Sequence, residues 1–149
     1  MTAVTGHFTE DVRTQALSAM AMLFSEVPEA RDEFMRSGGD DKLMGMLKEK
    51  TISPSLSSRI TQVLAAMLEN PPAPGTRGLP EFLELNGGIP IFSKLLALRE
   101  PVLLLPTART LRHACSSSPG CARDFIKCGG VLALVKACQV NLAFYQLRI

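Results

Sequence analysis

The chain has 149 residues, of which 46% are hydrophobic, 20% are charged and 5% are aromatic, with no Trp and a single Tyr. This is the size and balance of one globular domain with an aliphatic core, as the cores of stacked helices usually are. The formal net charge of +2 is small and evenly spread, which argues against nucleic acid or an anionic membrane as a partner. We therefore expect an all-α protein.

The first helical unit covers about residues 10–50 and follows residues 1–9, which we assign to a flexible N-terminus. Residues spaced by three or four predict one face of a long helix at Ala16, Met20 and Leu23. The next segment, PEARDEFMRSGG, predicts a short helix that ends at Gly38-Gly39. The core positions of the amphipathic third helix that follows are Leu43, Met46 and Leu47.

The second unit, about residues 52–100, repeats this order. Ser53-Pro54 has the form of an N-cap serine with proline at the first helical position, and the short helix ends at Gly87-Gly88. The core positions of its long and third helices are Ile60, Leu64, Met67, Phe92, Leu95 and Leu96. The unit is stretched by a loop at residues 70–78, whose prolines and glycines exclude a helix.

The third unit, about residues 101–140, is the closest copy of the first. Its short segment, PGCARDFIKCGG, places Phe125 and Gly129-Gly130 in register with Phe34 and Gly38-Gly39, and it begins at a second N-cap pair, Ser118-Pro119. The core positions of its long and third helices are Ala108, Leu111, Cys115, Leu134, Ala137 and Cys138.

The three glycine pairs follow one another at spacings of 49 and 42 residues, a period typical of helical repeats. A helix commonly ends with a residue in the left-handed conformation, which glycine adopts without steric penalty. We therefore assign structural roles to Gly38, Gly39, Gly87, Gly88, Gly129 and Gly130.

The residues Gly87-Gly88-Ile89-Pro90, followed by Phe92, Leu95 and Leu96, resemble the start of the third helix in armadillo repeats. The resemblance covers about residues 10–140. It implies a right-handed α-solenoid of about three repeats, whose third helices line a concave groove that binds extended peptides or other proteins. A two-helix HEAT-type array is the alternative, and distinct short helices before the glycine pairs would favour the armadillo arrangement.

The third-helix segments carry a mild excess of positive charge, and we take Lys48, Lys94, Arg99 and Lys136 as candidate groove residues. An acidic partner segment would suit them, although a solvated charged face explains the same residues. The chain lacks the Trp of armadillo-type receptors for nuclear-localisation signals, and its asparagines lie outside the third-helix segments. A receptor of that type is therefore disfavoured.

The loop at residues 70–78 is a second candidate site, with Pro72, Pro74 and Arg77 as its docking residues. Loops on a rigid scaffold often carry function. A tolerated surface insertion is the other interpretation, because lengthening a loop adds little closure entropy.

The sequence holds no pattern that predicts a catalytic, metal or cofactor residue. The four cysteines are separated by 6, 7 and 10 residues, without a CxxC pair, and His113 and Cys115 would point to different sides of a helix. No phosphate-loop pattern follows the glycine pairs, and Asp40 and Asp41 would repel a phosphate after the first. We expect a protein that is not an enzyme and has no cofactor.

The tail VNLAFYQLRI, beginning at Val140, is apolar with few charges, and its alternation up to Phe144 suggests a strand. This atypical tail, residues 141–149, suggests a fragment or short isoform of a longer repeat protein, with self-association through the exposed end. The absence of an export signal predicts free thiols and a cytoplasmic or nuclear location. The function expected is a non-catalytic protein-interaction scaffold, and the alternative is an adaptor subunit of a kinase or ubiquitin ligase complex.

Overall fold

The computed structural model describes the backbone of residues 2–71, 74–75 and 78–146, and the side chains of residues 10–71, 74–75 and 78–139. Every regular element in these ranges is a helix, which confirms the all-α prediction for the described residues. The helices are α1 (Thr2–Glu26), α2 (Pro28–Arg36), α3 (Gly39–Leu47), α4 (Pro54–Leu68), α5 (Leu79–Leu85), α6 (Gly88–Ala97), α7 (Pro101–Ser117), α8 (Pro119–Lys127) and α9 (Gly130–Gln146). None of the helices in the described part is long and apolar enough to cross a membrane.

The helices form three successive units of three helices each. The first helices of the units pack in a row, with α4 between α1 and α7. The third helices α6 and α9 pack against each other, and the short helices α5 and α8 also meet. Because α2 and α8 are separate from their neighbours, the chain has three helices per unit rather than two.

The hydrophobic core is centred on α4. Ile60, Val63 and Leu64 of this helix are completely buried because neighbouring helices cover it on two sides. Leu83 of α5 and Phe92 of α6, from the same unit, complete the core, and both are fully buried. The middle unit therefore depends on both of its neighbours for its burial.

The face of α1 differs from the sequence prediction by one residue. Ala16 and Leu23, predicted to lie in the core, are exposed, whereas Leu17 and Phe24 are buried. The buried stripe of α1 is the one that packs against α4 and α2, where the ring centroids of Phe24 and Phe34 lie 5.1 Å apart. Leu23 keeps 47% of its surface exposed.

The third helix of the last unit is less covered than its counterparts. Val131, Leu132 and Val135 of α9 are exposed, as is Cys138, which the spacing places in the core. The equivalent position in α6, Leu96, is buried against α7. The outer face of α9 is open because no helix of the described chain packs over it.

Both predicted serine N-caps are confirmed. The hydroxyl of Ser53 accepts a hydrogen bond from the backbone N–H of Leu56 at 3.2 Å, and a proline follows at the first helical position. Each capping hydroxyl also donates to a carboxylate of another helix: Ser53 to Glu10 of α1, and Ser118 to Glu84 of α5. The caps therefore also connect neighbouring helices.

The two glycines of each pair have different roles. The first has a left-handed backbone, with φ of 78° at Gly38, 66° at Gly87 and 78° at Gly129. The second leaves no room for a side chain, because a Cβ at Gly39 would overlap the ring of Phe34. The same overlap arises in the other units, between Gly88 and Leu83 and between Gly130 and Phe125. The short helix thereby lies directly against the start of the third helix.

Arg31 is a buried charge that joins the first unit to the second. Its guanidinium donates to Asp32 at 2.9 Å and to the carbonyls of Met67, Asn70 and Pro71 at the end of α4. Only 2% of its side chain is exposed. Since a helix end leaves carbonyls without intrahelical partners, this arginine satisfies them and fixes the start of the loop.

The described backbone is helical at both of its ends. The helix α1 extends back to Thr2, into residues 1–9 that the sequence assigns to a flexible N-terminus. The strand suggested for residues 140–144 is wrong, because α9 continues through Gln146. In the loop, Pro74 is exposed, and Pro72 and Arg77 lie outside the described residues.

The internal proline of α7 is compensated by a side chain of α4. Pro106 has no N–H, so the carbonyl of Val102, four residues earlier, loses its helical partner. The hydroxyl of Ser58 donates to this carbonyl at 2.7 Å. The buried hydroxyl of Thr107, one residue after the proline, has no hydrogen-bond partner among the described residues.

These two hydroxyls predict stability changes of opposite sign. Ser58→Ala should lower the free energy of unfolding by about 1–3 kcal/mol, because it leaves the Val102 carbonyl unpaired. Thr107→Val should raise it by about 1 kcal/mol, because it removes an unpaired buried hydroxyl without changing the shape. Urea denaturation of both variants measures the two effects, and a loss of stability in Thr107→Val would contradict this account.

The glycines of α3 provide a second pair of predictions. Gly39→Ala should destabilise the protein by about 1–3 kcal/mol, because the new methyl group meets the Phe34 ring. Gly45→Ala on the exposed side of the same helix meets nothing and should stabilise it by about 0.5–1 kcal/mol. Thermal and urea denaturation measure both. Equal effects at the two positions would show that the ring contact does not matter.

Candidate functional site

A cavity of about 280 Å³ lies between the third helices α6 and α9. The end of α6 and the residues after it form one side, and the start of α9 with the preceding turn forms the other. Its apolar lining comes from Leu96, Ala97, Leu132 and Ala133. Its polar lining comes from Ser93, Lys94, Arg99, Cys128 and Lys136.

Three of the four candidate groove cations meet at this cavity. Lys94 belongs to α6, Arg99 follows α6, and Lys136 belongs to α9, so the packing of α6 on α9 brings them together. Lys48 is not among the lining residues and is an exposed residue at the end of α3. The structure thus divides the predicted groove residues into a cluster of three and one separate lysine.

The positive charge of the cavity is not neutralised within the described part of the chain. No aspartate or glutamate lines the cavity. The two ion pairs of the described residues join Arg31 to Asp32 and Arg36 to Glu33, both within α2. An incoming anion would therefore meet Lys94, Arg99 and Lys136 without displacing an internal carboxylate.

A serine and a cysteine complete the polar lining, and the sequence predicted neither. The oxygen of Ser93 lies 3.1 Å from the sulfur of Cys128, close enough for a hydrogen bond. Ser93 is 6% exposed, whereas Cys128 is exposed. The signal available for Cys128 was its position directly before a glycine pair, where Ser37 stands in the first unit. For Ser93 there was no signal, because only helix packing directs it to the cavity.

Arg99 has an unusual backbone. Its φ of 58° makes it the one non-glycine residue of the described chain with a positive φ. It follows the C-cap residue Leu98 of α6, a position at which glycine is most common. An arginine in this left-handed backbone conformation raises the free energy of the folded state by about 1–2 kcal/mol relative to an arginine in the right-handed helical conformation. Such local strain is often found at functional sites.

The first turn of α9 has no negative charge of its own. In α3 the first turn contains Asp40 and Asp41, and the buried carboxylate of Asp40 accepts the Asp41 N–H at 2.9 Å. In α9 the equivalent residues are Val131 and Leu132, and no acidic residue stands in the first turn. The positive end of this helix therefore lies at the cavity without a compensating carboxylate.

The cysteines and His113, among the described residues, do not converge at one cavity as Lys94, Arg99 and Lys136 do. Burial raises the pKa of the Cys115 thiol, and the nearby Cys121 and Cys128 raise it further, so this thiol remains protonated. His113 lines a separate cavity of about 390 Å³ whose lining contains no cysteine. Among the described residues no group of His, Cys, Asp or Glu is placed to hold a metal ion.

A third cavity lies between the long helices α1, α4 and α7. This cavity of about 380 Å³ contains Met22 and Leu105 together with Glu26, Glu69 and Arg109. Both signs of charge are present, so it favours no class of charged ligand. The cavity between α6 and α9 is distinguished by charges of one sign.

No protein-family model, curated protein or solved structure matches this chain.

The backbone of Arg99 predicts a difference between two substitutions. Arg99→Gly should be about 0.5–1 kcal/mol more stable than Arg99→Ala, because glycine adopts the left-handed conformation without strain and alanine does not. Both changes remove the same exposed side chain beyond Cβ. Urea denaturation compares the two directly, and an alanine variant as stable as the glycine variant would rule out backbone strain here.

Proposed function

We propose that this chain is a non-catalytic protein-interaction scaffold of the armadillo type. In this proposal the three units form a right-handed solenoid, and the surface of the third helices holds a segment of a partner polypeptide. The three-helix units and the recurring glycine pairs support the fold assignment. The residues that contact the partner include Lys94, Arg99 and Lys136.

The observation that carries the proposal is the meeting of three cations without carboxylate partners at one cavity between α6 and α9. Lys94, Arg99 and Lys136 are all exposed to solvent, so a partner can reach them, and like charges grouped at one cavity give that surface a positive potential. A polypeptide segment with negative side chains has the matching charge. We therefore propose an acidic partner segment.

The other predicted contacts have less support. Pro74 is exposed and available to a partner, but Pro72 and Arg77 lie outside the described residues, so docking at the loop stays a prediction. Self-association through the tail also stays a prediction, because side chains from residue 140 onward lie outside the described set. The four free cysteines are compatible with a reducing compartment, the cytoplasm or nucleus.

The proposal predicts that charge reversal at the cavity abolishes partner binding. Affinity capture followed by mass spectrometry should recover proteins with the wild-type chain that are lost with the Lys94→Glu, Lys136→Glu double variant. The reversal replaces attraction with repulsion and should weaken binding by about 100-fold or more.

A matched control carries the same charge change elsewhere. Arg112 of α7 and Lys127 of α8 are exposed, do not line the cavity and lie outside the third helices, so the Arg112→Glu, Lys127→Glu double variant should capture the same proteins as the wild type. Circular dichroism checks that all three chains are equally helical. If the cavity variant and the wild type capture the same proteins, the groove assignment is wrong.

A further inference from the structure

We propose that the cavity between α6 and α9 is a phosphate site, which takes the phosphoryl group of a phosphorylated side chain in the partner segment. This inference rests on the proposed function and makes it more specific. It concerns the chemistry that Lys94, Arg99 and Lys136 recognise. It does not identify the sequence around the phosphorylated residue.

The number of cations favours a phosphoryl group over a carboxylate. Three positive side chains line the cavity without a carboxylate among its lining residues. A single glutamate or aspartate would bring one negative charge, whereas a phosphorylated residue brings about −1.5 to −2 charges and three acceptor oxygens at pH 7. The phosphoryl group therefore neutralises more of the cluster.

The donors also suit a group with three oxygens. Lys94 and Lys136 approach from different helices as mobile point charges, and Arg99 provides a planar fork that can bond two oxygens at once. The buried hydroxyl of Ser93 adds a neutral donor at the same cavity. Clusters of positively charged side chains, arginines above all, are a recurring means by which proteins recognise phosphorylated peptides.

The start of α9 adds to the positive potential. Its first turn contributes Leu132 to the cavity lining and contains no acidic residue, unlike the first turn of α3 with Asp40 and Asp41. The partial positive charge at the start of a helix therefore acts on the ligand rather than on an internal carboxylate. The lysines and arginine supply the greater part of the attraction.

Size and lining argue against a free nucleotide. The volume of about 280 Å³ lies at the lower limit of small-molecule pockets. No aromatic side chain lines the cavity, so a base would find no ring to stack on. The apolar lining of Leu96, Ala97, Leu132 and Ala133 suits the short aliphatic part of a phosphorylated side chain.

The backbone of Arg99 is consistent with selection for its side chain. Glycine would relieve the strain of the positive φ, and the chain nevertheless has arginine there, beside the cavity. Arg99→Gly should therefore keep the fold while it loses the guanidinium. This variant separates ligand binding from stability.

The test uses three capped peptides of the form Gly-Gly-X-Gly-Gly, in which X is phosphoserine, glutamate or serine. Each is titrated into the full chain and followed by NMR chemical shifts of the residues around the cavity. The phosphoserine peptide should bind about tenfold more tightly than the glutamate peptide, because it makes at least one more charge-assisted hydrogen bond. The serine peptide should cause no shifts.

Single variants locate the binding site. Lys94→Gln, Lys136→Gln and Arg99→Gly should each weaken phosphoserine-peptide binding by about tenfold through the loss of one charged contact. Lys127→Gln is the matched control, because Lys127 is an exposed lysine of α8 that does not line the cavity. Its affinity should equal that of the wild type.

The cysteines give an independent readout of occupancy. Cys128 lines the cavity, and Cys138 is also exposed but does not line it. The phosphoserine peptide should therefore slow the alkylation of Cys128 by iodoacetamide and leave the rate at Cys138 unchanged. Mass spectrometry of digested protein measures both sites in one sample.

Three results would overturn the inference: equal affinity for the phosphoserine and glutamate peptides, binding that survives Lys94→Gln and Lys136→Gln, or shielding of Cys138 alone. These outcomes are distinguishable from failure of the proposed function. If affinity capture shows a cavity-dependent partner that binds equally well after phosphatase treatment, the scaffold proposal stands and the phosphate site is wrong.

Discussion

The contact between a short helix and the glycine that begins the next helix is the constraint on which the arrangement of the units depends. In the first unit the ring of Phe34 occupies the space where a side chain of Gly39 would lie, and Leu83 and Phe125 occupy the same place in the other units. The left-handed glycine before it turns the chain. Because the three turns agree, the third helices leave the short helices in similar ways, and α6 and α9 pack against each other.

Several backbone carbonyls at the junctions between units accept hydrogen bonds from side chains of the neighbouring unit. Arg31 bonds the carbonyls at the end of α4, and Ser58 bonds the carbonyl that Pro106 deprives of its partner. A buried carbonyl without a partner would cost about 1–3 kcal/mol, so these contacts also specify which helices are neighbours. The row of α1, α4 and α7 is therefore held by hydrogen bonds as well as by the aliphatic core.

The cavity between α6 and α9 differs from these junctions because its polar groups are not neutralised internally. The buried charge of Arg31, by contrast, has hydrogen-bond partners within the protein. Lys94, Arg99 and Lys136 share a cavity without a carboxylate, beside a strained backbone and a helix start that has no acidic residue. The grouping of three exposed cations at one cavity without a carboxylate is the physical basis for placing an anionic ligand there.

The sequence by itself determined the features that depend on neighbours along the chain. The Ser-Pro caps, the left-handed glycines and the order of long, short and third helices follow from local backbone chemistry, which acts over a few residues. The spacing also placed Lys94 and Lys136 on third helices. That much of the fold and of the candidate site could be predicted without any knowledge of tertiary contacts.

Only the tertiary structure decided which faces are covered and which charges meet. The core face of α1 contains Leu17 and Phe24 instead of Ala16 and Leu23 because this is the face that packs against α4 and α2. Lys48 is separated from the other cations, while Cys128 and Ser93 join them, because α6 packs on α9. The spacing of apolar residues along the sequence identifies a helix and its apolar face. Which side chains are buried and which charges lie close together depends on distances between helices that are far apart in the chain.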